Sequence, residues 1–333
     1  MLDPTVELAD LHIHVGAAVA PHILWSIAHE QGFKLPVQNY WEFCDLVSAR
    51  PNKVSSQEDY LEILHRWTEK IQSSPAAIER SVHAIIGKEF RSSRVTLLEL
   101  RFNPMKRNLG GERDLDHIIH AALRGMDRAS MEYGSRVGLI FCLAREFPIE
   151  LNEILLKKAI RYRARGVVGV DLAGSENDLL EGGPLVDAYA ELFARARNAG
   201  LGVTVHTGET SLSGPEGLLT VLERWQPTRI GHGIAAARSE EAMRKLVERG
   251  TVLEICPSSN LRTRVVSGLP ELKQILTTFS ERGVPYTLNT DGPYLLNTHL
   301  RQEFDMLLTE QVITPAQAMR CVEVAQAASF IGV

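Results

Sequence analysis

From Val95 onward the chain alternates short apolar runs with amphipathic stretches, and this alternation constrains the fold more than any single motif. Apolar runs at 95–102, 137–143, 166–172, 202–206, 229–231, 251–255 and 285–289 are separated by helix-patterned segments at 114–133, 150–165, 184–199, 215–225, 239–249 and 270–282. The segment ends carry the expected punctuation. Pro184 opens one helix and Gly200 closes it, and Ser239 and Gly250 bracket another. An eighth apolar run, Val6–Val15, stands near the N-terminus. Strict β/α alternation predicts a parallel sheet, and eight such units predict a closed (β/α)8 TIM-type barrel of the α/β class. The alternative is an open doubly wound sheet, but no Gly-x-Gly-x-x-Gly turn follows the first run.

The first two runs are roughly 80 residues apart, unlike all the others. Pro21 stands at a helix start that reaches Gly32, and Pro36 and Pro51 interrupt the mixed stretch beyond it. Ser56-x-x-Asp59 resembles a capping box ahead of Leu61, Leu64 and Trp67, and Pro75 opens a helix carrying Ile78, Val82 and Ile85. A mainly helical insertion over about 33–94 is therefore expected after strand one, on the catalytic face of the barrel. Trp41, Phe43 and Trp67 are its candidate ring-stacking residues, with packing inside the insertion as the competing reading. No repeat, low-complexity tract or linker divides the chain, so one domain over 1–333 is expected.

Composition narrows the partners. With 36 Lys+Arg against 41 Asp+Glu, a net charge of −5 and no basic block, nucleic acid and acidic membranes are disfavoured and a small molecule is the expected ligand. Cys44, Cys142, Cys256 and Cys321 are far apart in sequence, which suits reduced and mostly buried thiols. Neither a leader-like N-terminus nor a run of 18 apolar residues is present, and a cytoplasmic location is expected.

Polar residues collect where the runs finish. His12 and His14 are two apart on the first, so on a strand they share a face and form half of a metal site. Asp171 to Glu176, His206-Thr207-Gly208-Glu209, Gly231-His232-Gly233, Glu254 to Asn260 and Asn289 to Pro293 follow the later runs. Any one of these is ordinary turn or cap chemistry. In a closed barrel all of them converge on one mouth, which is the signature of a functional site.

These segments, in this order, resemble the motif series of the adenosine deaminase family, a zinc-dependent branch of the amidohydrolase-type barrels, and the resemblance spans residues 6 to about 330. It implies that His12, His14, His206 and Asp291 hold one Zn²⁺ per chain. It also implies that Glu209 is the general acid for a ring nitrogen and that His232 holds and deprotonates the attacking water. Asp291 would orient that water as well, and the backbone at Gly174 would contact the substrate ring. The implied reaction is hydrolytic deamination of an adenosine-like 6-aminopurine nucleoside: hydroxide adds at the amino-bearing carbon and ammonia leaves. The Pro-Cys-x-x-Cys signature of cytidine-type deaminases is absent, and Cys256 reads as packing.

Two positions depart from the family pattern, and both concern substrate. Gly292 stands where the pattern has an aspartate that bonds the purine five-membered ring, and Gly16 stands where it has one that reaches the 5′-hydroxyl. Other residues replacing those contacts, a 5′-substituted adenosine such as aminodeoxyfutalosine, or another amino-bearing heterocycle would each account for the change. A non-catalytic nucleoside-binding barrel and a wider-superfamily ester or amide hydrolase are the remaining alternatives. The former would be expected to have lost a ligand or Glu209, and the latter commonly shows a bridging lysine where this chain has Asp171 to Gly174.

Overall fold

The computed structural model describes residues 1–109, 111–176 and 184–332. Eight strands run in chain order: β1 (Leu8–His14), β2 (Val95–Phe102), β3 (Arg136–Ala144), β4 (Val167–Ala173), β5 (Gly202–Thr207), β6 (Arg229–His232), β7 (Val252–Ile255) and β8 (Tyr286–Leu288). Each pairs in parallel with the next, in the order β1 to β8. The ring closes just past β8. Asp291 N–H donates to the His12 carbonyl at 2.8 Å, and His14 N–H donates to the Asp291 carbonyl at 2.7 Å. Closure thus brings Asp291 beside the two histidines through backbone bonding alone.

The expected alternation is present, with strand and helix ends within a few residues of those read from the sequence. Outer helices bury one apolar stripe. The Leu115–Tyr133 helix buries Ile118, Ile119, Ala122 and Met126, starts on the Asp114 cap and ends on Gly134 at φ 68°. At Glu240–Arg249, the Ser239 side chain accepts from the Ala242 N–H and Gly250 supplies the left-handed end at φ 64°, as the sequence punctuation implied.

The barrel lumen is charged rather than apolar. Arg101 on β2 donates to Asp171 on β4 at 3.1 Å and to Glu254 on β7 at 2.8 Å. Arg229 on β6 donates to Glu254 at 2.7 Å and also to Glu99 on β2. Side chains from non-adjacent strands meet only if they point inward, so three of these pairs cross the lumen, while Arg229 and Glu254 are neighbours on the paired strands β6 and β7. Phe330 seals the far end. Its ring centroid is 3.6 Å from the Arg229 guanidinium carbon, and a side chain on Gly202 would collide with it.

Between β1 and β2 the chain forms helices Pro21–Glu30, Tyr40–Leu46, Gln57–Ile63, a π-helical turn at Leu64–Thr68, a short Glu69–Ile71 helix and the long Pro75–Ser93 helix. The capping box expected at Ser56 is half formed. Ser56 Oγ accepts from the Asp59 N–H at 3.2 Å, while the Asp59 carboxylate takes the N–H and hydroxyl of Ser55 rather than the Ser56 N–H.

Candidate active site

Three imidazoles meet at the strand ends. His12 and His14 end β1, His206 lies near the end of β5, and one ring nitrogen from each falls within 4.8 Å of the others. Asp291 Oδ1 is 3.6 Å from His14 Nε2 and 3.9 Å from His12 Nε2. The rings are oriented from behind. His12 Nδ1 is 2.8 Å from Glu254 Oε2, and His206 Nδ1 is 2.9 Å from Asp171 Oδ2. A carboxylate can only accept there, so each Nδ1 carries the proton and each Nε2 presents a lone pair to the cluster.

This set fits a metal ion. His12 Nε2 is buried and has no hydrogen-bond partner, and a buried orphan nitrogen aimed at two other imidazoles and a carboxylate is costly without a cation. Burial, followed by neighbouring charges, holds His12 and His14 well below the ordinary histidine range, so both are neutral as ligands must be. A second cluster, His12, His232 and Cys256, is weaker. Burial pushes the Cys256 thiol far up, which keeps it protonated, and its Sγ lies 3.6 Å from the Glu254 carbonyl, in keeping with packing.

Two of the flanking residues adopt a conformation rare for side-chain-bearing residues. His232 and Asp291 both have φ 60°. Such backbone persists only where surroundings over-determine it, and it concentrates at functional sites. His232 Nε2 lies 3.7 Å from Glu209 Oε2, and its Nδ1 sits 3.0 Å from the Asn260 side-chain amide, a group that accommodates either tautomer by a half-turn. The second carboxylate oxygen of Asp291 accepts from Ser259 Oγ at 2.6 Å.

Glu209 follows β5 across Gly208, whose φ of 64° makes the turn. The Glu176 carboxylate takes the N–H groups of Glu209 and Thr210 and the hydroxyls of Thr210 and Ser213, which fixes this loop. Burial first, then the charges of Glu176 and Asp291, push the Glu209 carboxyl up to about 8, so it is protonated at neutral pH. Gln57 donates to it from the insertion.

Glu209, His232, Asp291, Gly174 and Tyr60 line one cavity with His14 and His206. Gly174 lines the cavity at φ 104°, which a side chain would strain, and a Cβ there would lie 2.6 Å from Glu146 Oε2. Gly16 and Gly292 are closely approached as well. A Cβ on Gly16 would lie 2.8 Å from Leu64 Cδ1, 2.9 Å from an Arg107 nitrogen and 3.0 Å from Glu69 Cγ. A Cβ on Gly292 would lie 2.1 Å from the Tyr60 hydroxyl.

The expected stacking residues lie elsewhere. Trp41 is 76% exposed, Phe43 is buried in the main core against Trp25, and Trp67 packs on the core beneath Arg66. None of the three lines the cavity; Gln57, Tyr60, Leu61 and Leu64 do. The competing reading, packing, applies to Phe43 and Trp67. Glu254, Arg101, Tyr60, Gln57, Asn260 and Glu176 carry no role in the sequence reading. Glu99 and Arg101 did leave a signal: two charges two residues apart on an otherwise apolar strand face one way, and that way is the lumen.

A parallel barrel with imidazoles and a carboxylate gathered at its C-terminal mouth, beside a protonated glutamic acid, defines a metal-dependent hydrolase. The adenosine deaminase family model matches residues 7–332, and the chain belongs to that family, whose site is metal-dependent. An adenosine deaminase from Haemophilus ducreyi is 32% identical over 97% of this chain and 91% of its own. An aminodeoxyfutalosine deaminase from Acidothermus cellulolyticus is 32% identical over 90% of this chain and 81% of its own. Among solved structures, an amidohydrolase from Burkholderia ambifaria with bound zinc superposes with a TM-score of 0.86 at 18% identity, covering 99% of this chain and 87% of that one, which shows the shared fold. No helix among the described residues is long and apolar enough to cross a membrane.

Proposed function

We propose that this chain is a zinc-dependent hydrolytic deaminase that acts on an adenosine-like 6-aminopurine nucleoside, taking up water and releasing ammonia. The observation that carries this reading is that Glu209 and Asp291 share one cavity with His14, His206 and His232, and that His12 converges on His14 and His206 behind it. His12, His14, His206 and Asp291 would hold a single zinc ion. When bound, such an ion supplies a nucleophile from water at neutral pH.

The chain's own groups do the rest. Glu209, held protonated by burial, donates to a ring nitrogen next to the amino-bearing carbon, which makes that carbon electrophilic. His232 is buried and lowered to about 4, so it is neutral at physiological pH and able to take the proton of the attacking water. That proton then passes to the departing amine, which leaves as ammonia, and the proton remaining on the added oxygen returns to Glu209 as the ring carbonyl forms. Asp291, anchored by Ser259, orients the water, and the backbone at Gly174 lies along the ring.

A 5′-substituted adenosine is the second reading. A neighbouring cavity shares His14 and Gly174 with the site and is also lined by Gly16, His65, Lys106 and Arg107. The polar groups His65, Lys106 and Arg107 in this otherwise largely apolar lining favour a polar substituent near where a free 5′-hydroxyl would otherwise be read. The deciding experiment is an ammonia-release screen over adenine, adenosine, deoxyadenosine, AMP, 5′-substituted adenosines and amino-pteridine or triazine rings, with metal analysis of the same preparation. Close to one zinc per chain and turnover of an aminopurine nucleoside are expected. Turnover confined to a non-purine ring would overturn the substrate class.

A further inference from the structure

The insertion places two polar side chains in the cavity, Gln57 and Tyr60, and of these only Tyr60 makes no hydrogen bond at all. Tyr60 is 5% exposed and lines the cavity with Glu209, His232 and Asp291, yet its hydroxyl has no hydrogen-bond partner. A buried, unpaired hydroxyl is costly, and the cost is removed by a ligand that accepts from it. Its position is tied to Gly292. A Cβ there would stand 2.1 Å from the Tyr60 hydroxyl and 2.7 Å from Ala17 Cβ, so any side chain at 292 would evict the phenol. Gly292 does not have the left-handed φ that calls for glycine, unlike Gly174 or Gly208. Its lack of a side chain is therefore explained by the phenol and not by the backbone.

The chain around Tyr60 aims it. Ser56 caps the Gln57–Ile63 helix, Gln57 on its first turn donates to Glu209, and Tyr60 lies almost one turn further on, against Gly292. The helix passes directly into the π-helical turn at Leu64–Thr68, a feature frequent at functional sites. One helix thus carries both the residue that bonds Glu209 and the hydroxyl on the Asp291–Gly292 side of the cavity.

We propose that the Tyr60 hydroxyl is a specificity-determining group that donates a hydrogen bond to a ring-nitrogen acceptor of the substrate, from the space a side chain at position 292 would occupy. The inference rests on the aminopurine reading above. In a 6-aminopurine the amino-bearing carbon has a six-membered-ring nitrogen on one side and, across the ring fusion, the N7 acceptor on the other. Glu209 serves the first. Tyr60, on the Asp291–Gly292 side of the cavity, serves N7. A phenol is protonated at neutral pH and donates to an unprotonated ring nitrogen without a proton transfer.

The test compares adenosine, or the aminopurine nucleoside the screen identifies, with its 7-deaza analogue, in which N7 is a C–H, on the wild-type holoenzyme and on Tyr60→Phe. Wild type is expected to favour the purine in kcat/KM by on the order of 10- to 100-fold. Tyr60→Phe is expected to lose about that factor on the purine and to change less than about 3-fold on the analogue, so that the preference collapses. Equal losses on both substrates, or an active wild type indifferent to N7, would overturn the assignment while leaving the proposed function standing. A wild type that releases ammonia from no aminopurine overturns both. Zinc content and the circular dichroism of Tyr60→Phe establish that it is folded and loaded. The wild-type comparison tests the assignment without any variant.

Discussion

The Nδ1 of His206 lies 2.9 Å from Asp171 Oδ2, and Asp171 in turn accepts from Arg101 at 3.1 Å, so an imidazole at the barrel mouth is oriented by a charge network inside the lumen. Burial opposes ionisation of Asp171, but His206 and Arg101 outweigh it and hold the carboxyl well below its usual range. Asp171→Asn keeps the shape and removes the charge. Zinc affinity should fall about 10- to 100-fold, the typical cost of losing such a carboxylate behind a ligand. Competition against a chelator reads this out, and the folded content by circular dichroism should not change.

Glu209→Gln should separate binding from chemistry. The amide keeps the hydrogen-bonding shape but has no acidic proton for the ring nitrogen. Turnover should drop by about 10²- to 10⁴-fold. Zinc content should stay at the wild-type level, because Glu209 is not among the clustered imidazole ligands. An ammonia assay beside metal analysis distinguishes this from simple loss of metal, and unimpaired turnover would remove Glu209 from the mechanism.

In the proposed mechanism the same residue sets the pH profile. Its acid form would be the active one, and with the carboxyl at about 8 the protonated fraction falls as pH rises through that value. The kcat/KM of the enzyme should therefore decline on the alkaline side of about pH 8. Gln57 donates to this carboxylate and so favours its charged form. Gln57→Leu should move the alkaline limb to higher pH. A profile level from neutrality to pH 10 would be incompatible with Glu209 as the acid.

The strands were legible because their apolar runs end in polar residues, and β2 emerges with the same ends, Val95 and Phe102, in sequence and structure. The candidate ligands were legible for a related reason: His12 and His14 share a strand face, and barrel topology sends all strand ends to one mouth. The orienting carboxylates were not. Glu254 is 242 residues from His12, and nothing local pairs them before the barrel closes. The cavity wall was illegible for a different reason. Aromatic content singled out Trp41, Phe43 and Trp67, whereas the helix that reaches the mouth presents Gln57 and Tyr60. Which residue of an insertion faces the site depends on how its helices dock, and local sequence does not encode that.

Stability should depend most sharply on Arg229. It is buried, donates to Glu254 and Glu99 on opposite sides of the lumen, donates to the Ala328 carbonyl at 2.8 Å and stacks over Phe330. Glu99 also takes the Ser329 hydroxyl at 2.7 Å and the Phe330 N–H at 2.5 Å, so one cation and one carboxylate together hold the C-terminal segment in the barrel floor. Arg229→Met fills much of the volume but leaves Glu99 and Glu254 short of a buried positive partner. Removing one partner of a buried ion pair costs about 3–5 kcal/mol, because the remaining charge is left uncompensated. Glu254 retains Arg101 at 2.8 Å, so the unpaired charge falls chiefly on Glu99 and the damage is expected at the floor rather than at the mouth. Denaturant unfolding should show that loss, and proteolysis should begin in the released C-terminal residues. Zinc content should be kept in the folded fraction. Arg229→Met with wild-type stability would show that the lumen charges do not hold the barrel floor.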